Sequence, residues 1–156
     1  FTEAIEHNDG RNRMILERLK ALPAPALVLV KTVTHGNVLT SMAGRMGIDL
    51  PFVHGTCSLA QRKAAVAKLV NAKGYLMATG IFNEGIDIPT LRGLILAAGG
   101  KSQGLLMQQM GRGLRTFMDK DGLEVIDFYD LSKPLLPHSK GRLELWKSEG
   151  YKVEVI

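Results

Sequence analysis

Short apolar runs alternate with segments of helical periodicity along the whole chain. Within the longer runs the apolar residues are continuous rather than alternating, and each run is bounded by glycine, proline or charge. Continuous apolarity is typical of strands that are covered on both faces, as in a parallel sheet. The predicted strands are ALVLV (26–30), PFVHG (51–55), YLMAT (75–79), LRGLILAA (91–98), LEVIDF (123–128) and, as an alternating edge strand, YKVEVI (151–156).

Helical patterns fill the intervals between these runs. Ser58 is suited to cap the third predicted helix, whose apolar stripe would consist of Leu59, Val66 and Val70. The proline-containing stretch 131–139 is expected to be a connector. Alternating strands and helices predict an α/β fold with a mostly parallel sheet, in a single domain over 1–156. The predicted helices are 10–22, 35–47, 58–70, 102–115 and 139–150.

Composition narrows the function classes only slightly. The 156 residues are 46% hydrophobic, and 20 Lys+Arg against 15 Asp+Glu give a formal charge of +5, which mildly favours a polyanionic partner. No apolar run approaches the roughly 20 residues of a membrane span. The single cysteine, Cys57, indicates a reducing, intracellular setting, so we expect a cytoplasmic protein. Because the chain opens on Phe1 rather than Met, we expect a piece of a longer protein.

The sequence GGKS (99–102) looks like the end of a phosphate-binding loop. A Walker A loop requires a glycine five residues before its Gly-Lys pair, and that position is Ile95, inside a predicted strand. The chain therefore lacks the usual parts for holding ATP by itself. We expect Gly99 to end the strand in a tight turn, Ser102 to cap the next helix and Lys101 to be an exposed loop cation.

The fourth predicted helix has a polar face opposite its apolar one. Gln108, Arg112 and Arg115 fall within about 60° of one another when each residue advances about 100°. Two guanidiniums so close favour an anion between them, although a solvated basic face near a helix C-terminus is an open alternative. Gly111 and Gly113 cost about 1 kcal/mol each inside a helix, which suggests close approach of a ligand or chain, or a break.

An ordered set of motifs carries a family resemblance. QQMGRGLR (108–115) resembles motif VI of superfamily 2 helicases, with the pattern Gln-x-x-Gly-Arg-x-x-Arg. ATGIFNEGIDIP (78–89) resembles motif V, ALVLVKTVTHGNVL (26–39) is similar to motif IV, and VHGTCSLAQRKAAVAKL (53–69) resembles the segment after motif IV. The resemblance implies the second, C-terminal RecA-like domain of such a helicase, a three-layer sandwich with helices on both faces of the sheet. Motif VI looks closest to the DNA-directed branches, similar to phage and bacterial DNA helicases and restriction-enzyme translocase subunits, because Gln108 stands where DEAD-box RNA helicases have His. The resemblance therefore implies the cytoplasm of a bacterial or phage-infected cell.

The resemblance also implies roles at a nucleotide site. Arg112 and Arg115 would point at the γ-phosphate of ATP, with Arg115 as the arginine finger and Arg112 as the sensor. Gln108 would support them. Gly85, Asp87 and Gly111 would lie on the nucleotide side, although a turn carboxylate is an alternative for Asp87.

A second set of residues is implied to contact nucleic acid. Thr79 and Gly80 would hold the phosphate backbone, because a hydroxyl and a bare N–H bind phosphate without reading sequence. Thr32, His54 and Arg62 are weaker candidates for the same track. His54 could equally be a strand-end residue that satisfies a backbone carbonyl.

The expected protein is therefore part of an ATP-dependent DNA helicase or translocase. ATP and Mg²⁺ would be bound mainly by an N-terminal RecA-like domain absent from this chain, and the partners would be that domain and DNA, with no membrane. A non-catalytic RecA-like binding module and an RNA-directed helicase domain are the alternatives. No metal site is expected, because the four histidines form no ligand cluster. Asp127 and Asp130 could form a carboxylate pair, or simply mark a strand end and turn.

Overall fold

A computed structural model describes residues 2–79, 88, 90–99, 123–148, 150 and 152–154. Within these ranges all strand pairs are parallel. The strands are β1 (Ala26–Leu29), β2 (Phe52–Val53), β3 (Tyr75–Ala78), β4 (Gly93–Leu96) and β5 (Glu124–Asp127). The helices are a π-helical segment (Thr2–Glu6), α1 (Asp9–Ala21), α2 (Val33–Arg45), α3 (Leu59–Ala72) and α4 (Leu136–Ser148). The strand order β2-β3-β1-β4-β5 confirms the predicted α/β fold with a parallel sheet.

The sheet separates two hydrophobic cores. Successive strand side chains point to opposite faces, so Leu27 and Leu29 of β1 enter one core while Val28 enters the other. The first core is closed by α3 and by Trp146 of α4. The second is closed by α1 and α2. Helices thus cover both faces, and this explains why the strands read as continuous apolar runs.

Side-chain caps fix where the described helices begin. The Asn8 side chain accepts a hydrogen bond from the Arg11 N–H at the start of α1. Ser58 and Gln61 form a reciprocal capping box at the start of α3, which confirms the predicted cap. Each cap satisfies a backbone donor that the helix itself leaves without a partner.

Three details of the sequence prediction are wrong. Residues 152–154 are not in a strand; Val153 instead packs against the first core without joining the sheet. Helix α4 begins at Leu136, inside the expected connector, because Pro137 at the first turn of a helix costs no hydrogen bond. Leu59 is 46% exposed, since it is the first residue of α3, and the stripe buried there is Val66 with Leu69. The predicted helix 102–115 lies outside the described residues.

Candidate functional site

The carboxyl ends of the five strands meet at one edge of the sheet, because all of them run in the same direction. In open α/β sheets this edge is where ligands bind. Thr32 follows β1, His54 follows β2 and Thr79 follows β3. Since β3 lies between β2 and β1, Thr79 comes between the other two in strand order. We call the ends of β2, β3 and β1, with these three residues, the hydroxyl half of the edge.

Backbone hydrogen bonds tie the hydroxyl half together. The Thr79 N–H donates to the Val53 carbonyl at 3.2 Å, so the end of β3 is held directly against the end of β2. The Val30 N–H donates to the Ala78 carbonyl at 3.0 Å and links β1 to the other side of β3. Of the three residues predicted to contact the nucleic-acid backbone, Thr79 is part of this ladder. His54 follows the ladder residue Val53 by one position, and Thr32 follows Val30 by two.

Thr32 has structural partners in addition to its predicted role. Its hydroxyl oxygen caps α2 by accepting the His35 N–H at 3.1 Å, and its O–H donates to the buried carboxylate of Glu6. The hydroxyl is thus already engaged by the chain itself. Its contact with nucleic acid stays a prediction.

Buried beneath Thr32, His35 is held in its neutral form. Its Nε2 lies 2.9 Å from Oδ1 of Asn12, and only 1% of the residue is exposed. Burial, with the Arg11 guanidinium nearby as a second cause, lowers the pKa of His35 to about 4. At neutral pH the ring is uncharged and serves as a hydrogen-bonding core residue.

His54 is half-buried at the end of β2 and packed from one side. Its ring centroid is 5.1 Å from that of Phe52, and its Nδ1 is 2.8 Å from the Thr56 hydroxyl. The Phe52 ring in turn lies against Gly36 of α2, where a Cβ would be 2.1 Å from Cζ of Phe52. Gly36 is therefore what lets α2 and β2 approach closely at this end of the sheet.

The ends of β4 and β5 hold charged groups instead. Arg11 of α1 donates from Nη1 to the Ala97 carbonyl at 2.9 Å and from Nε to Oδ1 of Asp130 at 2.7 Å. The same guanidinium lies over the Phe128 ring, 5.1 Å from its centroid. One buried side chain thus joins α1 to the exits of both strands.

Arg142 of α4 reaches the end of β5 from the face of the sheet that carries the first core. Its Nε is 3.1 Å from Oδ2 of Asp127, and its Nη2 donates to the Phe128 carbonyl at 2.7 Å and lies 3.9 Å from Oδ2 of Asp130. Trp146 Nε1 donates to the same Asp127 oxygen at 3.0 Å. We call Arg11, Asp130, Arg142 and Asp127 the ion-paired half of the edge.

Sequence reasoning missed both of these arginines. Arg11 stands four residues before Ile15 and eight before Leu19, and therefore on the buried stripe of α1. A cation on an apolar stripe indicates a buried ion pair, and that signal was available. Asp127 is the last residue of β5, so the strand-end interpretation is confirmed for it. That interpretation missed the ion pairs, since Asp127 and Asp130 each face an arginine.

The structure describes only one of the remaining predicted site residues. Arg62 lies in α3, one turn beyond the Ser58 cap, and its backbone N–H donates to the Ser58 carbonyl at 3.0 Å. The rest lie outside the described residues: Gly80, Gly85, Asp87, Gln108, Gly111, Arg112 and Arg115. Over the described part of the chain no group of three or more His, Cys, Asp and Glu side chains could hold a metal ion. In that part, too, every helix is too short or too polar to cross a membrane.

Comparison with known proteins adds to this geometry. Residues 11–117 match the family described as "Helicase conserved C-terminal domain". The chain is 32% identical over 133 residues to "Putative helicase 22" of Sulfolobus islandicus filamentous virus, covering 82% of this chain and 24% of that protein. It is 29% identical over 107 residues to the ATP-dependent DNA helicase uvsW of Enterobacteria phage T4, covering 67% of this chain and 21% of that protein. It thus spans about a quarter or less of the length of these relatives.

Solved structures show the same fold. The C-terminal domain of the DEAD-box protein Dbp5 superposes with a TM-score of 0.64 and 17% sequence identity, covering 94% of this chain and 82% of that one. The expected RecA-like fold is therefore confirmed. The match over residues 11–117 confirms the resemblance to a helicase C-terminal domain.

Proposed function

Because the chain belongs to the helicase conserved C-terminal domain family, we propose that it is the C-terminal motor domain of an ATP-dependent DNA helicase or translocase. The observation that carries the proposal is the hydroxyl half: Thr32, His54 and Thr79 follow three neighbouring strands at the ligand-binding edge of a parallel sheet. The uvsW relative, named as a DNA helicase, supports DNA as the substrate.

In this proposal the chain completes an ATP site that it does not form alone. Arg112 and Arg115 reach across a cleft to the γ-phosphate, with Arg115 as the finger, Arg112 as the sensor and Gln108 supporting them. A forked guanidinium matches the charge that spreads over the phosphoryl oxygens, and such a finger contributes about 10³ to 10⁵ in rate. Gly85, Asp87 and Gly111 lie on the nucleotide side of the cleft.

The other half of that site belongs to an N-terminal RecA-like domain. That domain supplies the phosphate-binding loop and the carboxylate for Mg²⁺. When bound, Mg²⁺ neutralises charge on the β- and γ-phosphates.

The nucleic-acid track is the hydroxyl half together with Gly80 and Arg62. Hydroxyls and backbone N–H groups hold phosphate oxygens and fix the register of a strand without reading its bases. ATP binding closes the two domains, and loss of the γ-phosphate opens them. Alternating grips on the phosphate backbone then move the motor along one strand.

Arg115→Ala in the full-length protein tests the nucleotide role. We expect kcat for ATP hydrolysis to fall by about 10³-fold or more, while ATP affinity stays within a few-fold, because the phosphate loop is elsewhere. The matched control is Arg92→Ala, since Arg92 is exposed and precedes β4 at the opposite edge of the sheet. Near-normal turnover in Arg115→Ala would show that Arg115 is not the arginine finger.

Thr79→Val tests the track, and Thr90→Val is its control because Thr90 is exposed in the turn before β4. ATPase activity is measured against single-stranded DNA, duplex DNA and RNA of equal length. We expect DNA to activate most strongly and Thr79→Val alone to raise the DNA concentration needed for half-maximal activation. Stronger activation of the ATPase by RNA than by DNA would show that RNA, and not DNA, is the substrate. DNA binding with no response to ATP would favour a non-catalytic binding module.

A further inference from the structure

The ion-paired half connects parts of the chain that are far apart in sequence. Arg11 and Asp130 are separated by 119 positions, yet their Nε and Oδ1 atoms are 2.7 Å apart. Asp130 is also held through its backbone, whose N–H donates to the Ser139 hydroxyl at 2.9 Å. One network therefore fastens α1 and α4 to the exits of β4 and β5.

Burial of these charged side chains costs free energy, because they are removed from water. The side chains of Arg11 and Asp130 are 6% and 10% exposed, and those of Arg142 and Asp127 are 4% and 15% exposed. Removing such charges from water offsets much of their mutual attraction, so buried ion pairs are weak contributors to net stability. What they do provide is a fixed geometry, because each guanidinium has one arrangement that satisfies all its partners.

The exit of β4 is shaped around this network. Gly99 has φ +63°, which is left-handed backbone, as the sequence predicted for a tight turn. A Cβ at Gly99 would lie 2.8 Å from Cδ1 of Ile5, 3.2 Å from Nη2 of Arg11 and 3.4 Å from Oδ2 of Asp130. With the Ala97 carbonyl bonded to Arg11, the chain leaves β4 in direct contact with the Arg11–Asp130 pair.

The segment that carries the motif VI residues comes directly after the exit of β4. It begins at residue 100 and returns to the sheet at β5, whose far end bears Asp127 and then Asp130. The flank that leaves β4 is therefore anchored directly by Arg11. The returning flank enters β5 at Glu124, at the other end of that strand from Asp127 and Asp130. A misplacement of about 1 Å can lower the rate of a catalysed step by about 10²-fold.

We propose that Arg11 and Asp130 are positioning residues for the phosphoryl-transfer step. They fix the path of the chain from the exit of β4 into the segment 100–122 and thereby aim Arg112 and Arg115 at the γ-phosphate. This inference rests on the proposed function of those two arginines. It assigns a catalytic consequence to a pair of residues outside motifs IV, V and VI.

Arg11→Lys in the full-length protein tests the proposal, because lysine keeps the charge and loses the fork. A single ammonium cannot hold the Ala97 carbonyl and Asp130 while covering the Phe128 ring. We expect kcat for ATP hydrolysis to fall about 10- to 100-fold with KM for ATP within about twofold. Arg13→Lys, on the exposed side of the same helix, is the control and should leave both constants unchanged.

Gly99→Ala is a second variant that leaves every charge in place. We expect it to lower kcat at unchanged KM, as Arg11→Lys does. Its control is Gly47→Ala, since Gly47 also has positive φ (+71°) but nothing within 4 Å of an added Cβ. Backbone strain is thus matched, and the contact with Arg11 differs. Kinetic constants are referred to the folded fraction measured by circular dichroism under assay conditions.

Amide hydrogen exchange gives a readout independent of catalysis. Both variants should exchange faster than wild type in peptides from 100–122, with β1 and β3 unchanged. Normal kcat and unchanged exchange in that segment, beside an inactive Arg115→Ala, would overturn the positioning role and leave the proposed function intact. An active Arg115→Ala would overturn the proposed function and with it the aim assigned to the pair, even where exchange in 100–122 is faster.

Discussion

The polar side chains in the two halves of the carboxyl edge differ in burial and in pairing. In the hydroxyl half, Thr32, His54 and Thr79 are half-buried, near solvent, on or next to a ladder of backbone hydrogen bonds. In the ion-paired half, the Arg11 and Arg142 side chains are 6% and 4% exposed and are neutralised by carboxylates of the same chain. Both halves belong to one parallel sheet.

The difference teaches which polar groups can serve a ligand. A buried charge that is compensated within the chain can bind nothing further without leaving its partner behind, and that loss is large. A group near solvent, such as Thr79, exchanges water for a phosphate oxygen at little loss. The Thr32 hydroxyl differs, because it would first have to leave Glu6 and His35. We therefore assign recognition to the hydroxyl half and shape to the ion-paired half, and substitutions in each half test that assignment.

Asp130→Ala should have the largest effect on stability. It removes a carboxylate that faces both buried guanidiniums, so Arg11 loses its partner while remaining buried. We expect the free energy of unfolding, measured by urea titration, to fall by about 3–5 kcal/mol. The control is Asp49→Ala, because Asp49 is exposed, and it should change the value by less than about 0.5 kcal/mol. Equal losses in the two variants would contradict the buried-pair account.

Gly36→Ala comes next, because it tests packing in the hydroxyl half. The added Cβ would overlap the Phe52 ring, so the ring must move and His54 with it. We expect a loss of about 1–3 kcal/mol in the free energy of unfolding. Gly44→Ala in the same helix has nothing within 4 Å of the Cβ and should be neutral or stabilising by up to about 1 kcal/mol. If Gly36→Ala behaves like Gly44→Ala, the close approach of α2 and β2 is not required.

Most of the fold could be predicted from the sequence. The strands were found because both faces of a parallel sheet are covered, so each strand is a continuous apolar run. The N-cap at Ser58 was found because a serine directly precedes the helical pattern, and the structure adds Gln61 as its reciprocal partner. The strand predicted at 151–156 was wrong for 152–154, because alternation alone does not show that an edge is available for pairing.

The candidate site was only partly predictable for a physical reason. Thr32, His54 and Thr79 could be placed because each one closely follows a strand. The Arg11–Asp130 pair could not, because its partners are 119 positions apart and meet only when two strand exits and a helix come together. Local spacing indicates local hydrogen bonds and says little about such long-range pairs.

The pH dependence of stability tests the burial of His35, which lies near residues of both halves. His35 lies under Thr32, with Arg11 and His7 lowering its pKa and Glu6 raising it, after burial as the main cause. Because its folded pKa, about 4, is below the ordinary value of 6.5, the unfolded chain binds more protons. This contribution to stability is fully present above pH 6.5 and is lost as pH falls toward 4.

Between about pH 6.5 and about pH 5.5 the loss due to His35 should be about 1 kcal/mol. It is measured as the difference in unfolding free energy between the two pH values in wild type and in His35→Gln, which cannot titrate. We expect the variant to show the smaller difference, because the ring whose pKa is lowered by burial is gone. A pH response that persists in His35→Gln would place the titrating group elsewhere.

Ser58→Ala should have the smallest effect of these substitutions and sets the scale for an exposed polar side chain close to the hydroxyl half in sequence. It removes the hydroxyl that accepts the Gln61 N–H at 3.1 Å, where water can take over. We expect a loss of about 1 kcal/mol in urea titration, and only a few tenths for Ser58→Gly, whose backbone suits the cap. The loss should thus be several-fold below that of Asp130→Ala. If the two losses are equal, burial does not distinguish the two halves, and recognition and shape cannot be assigned to them on that ground.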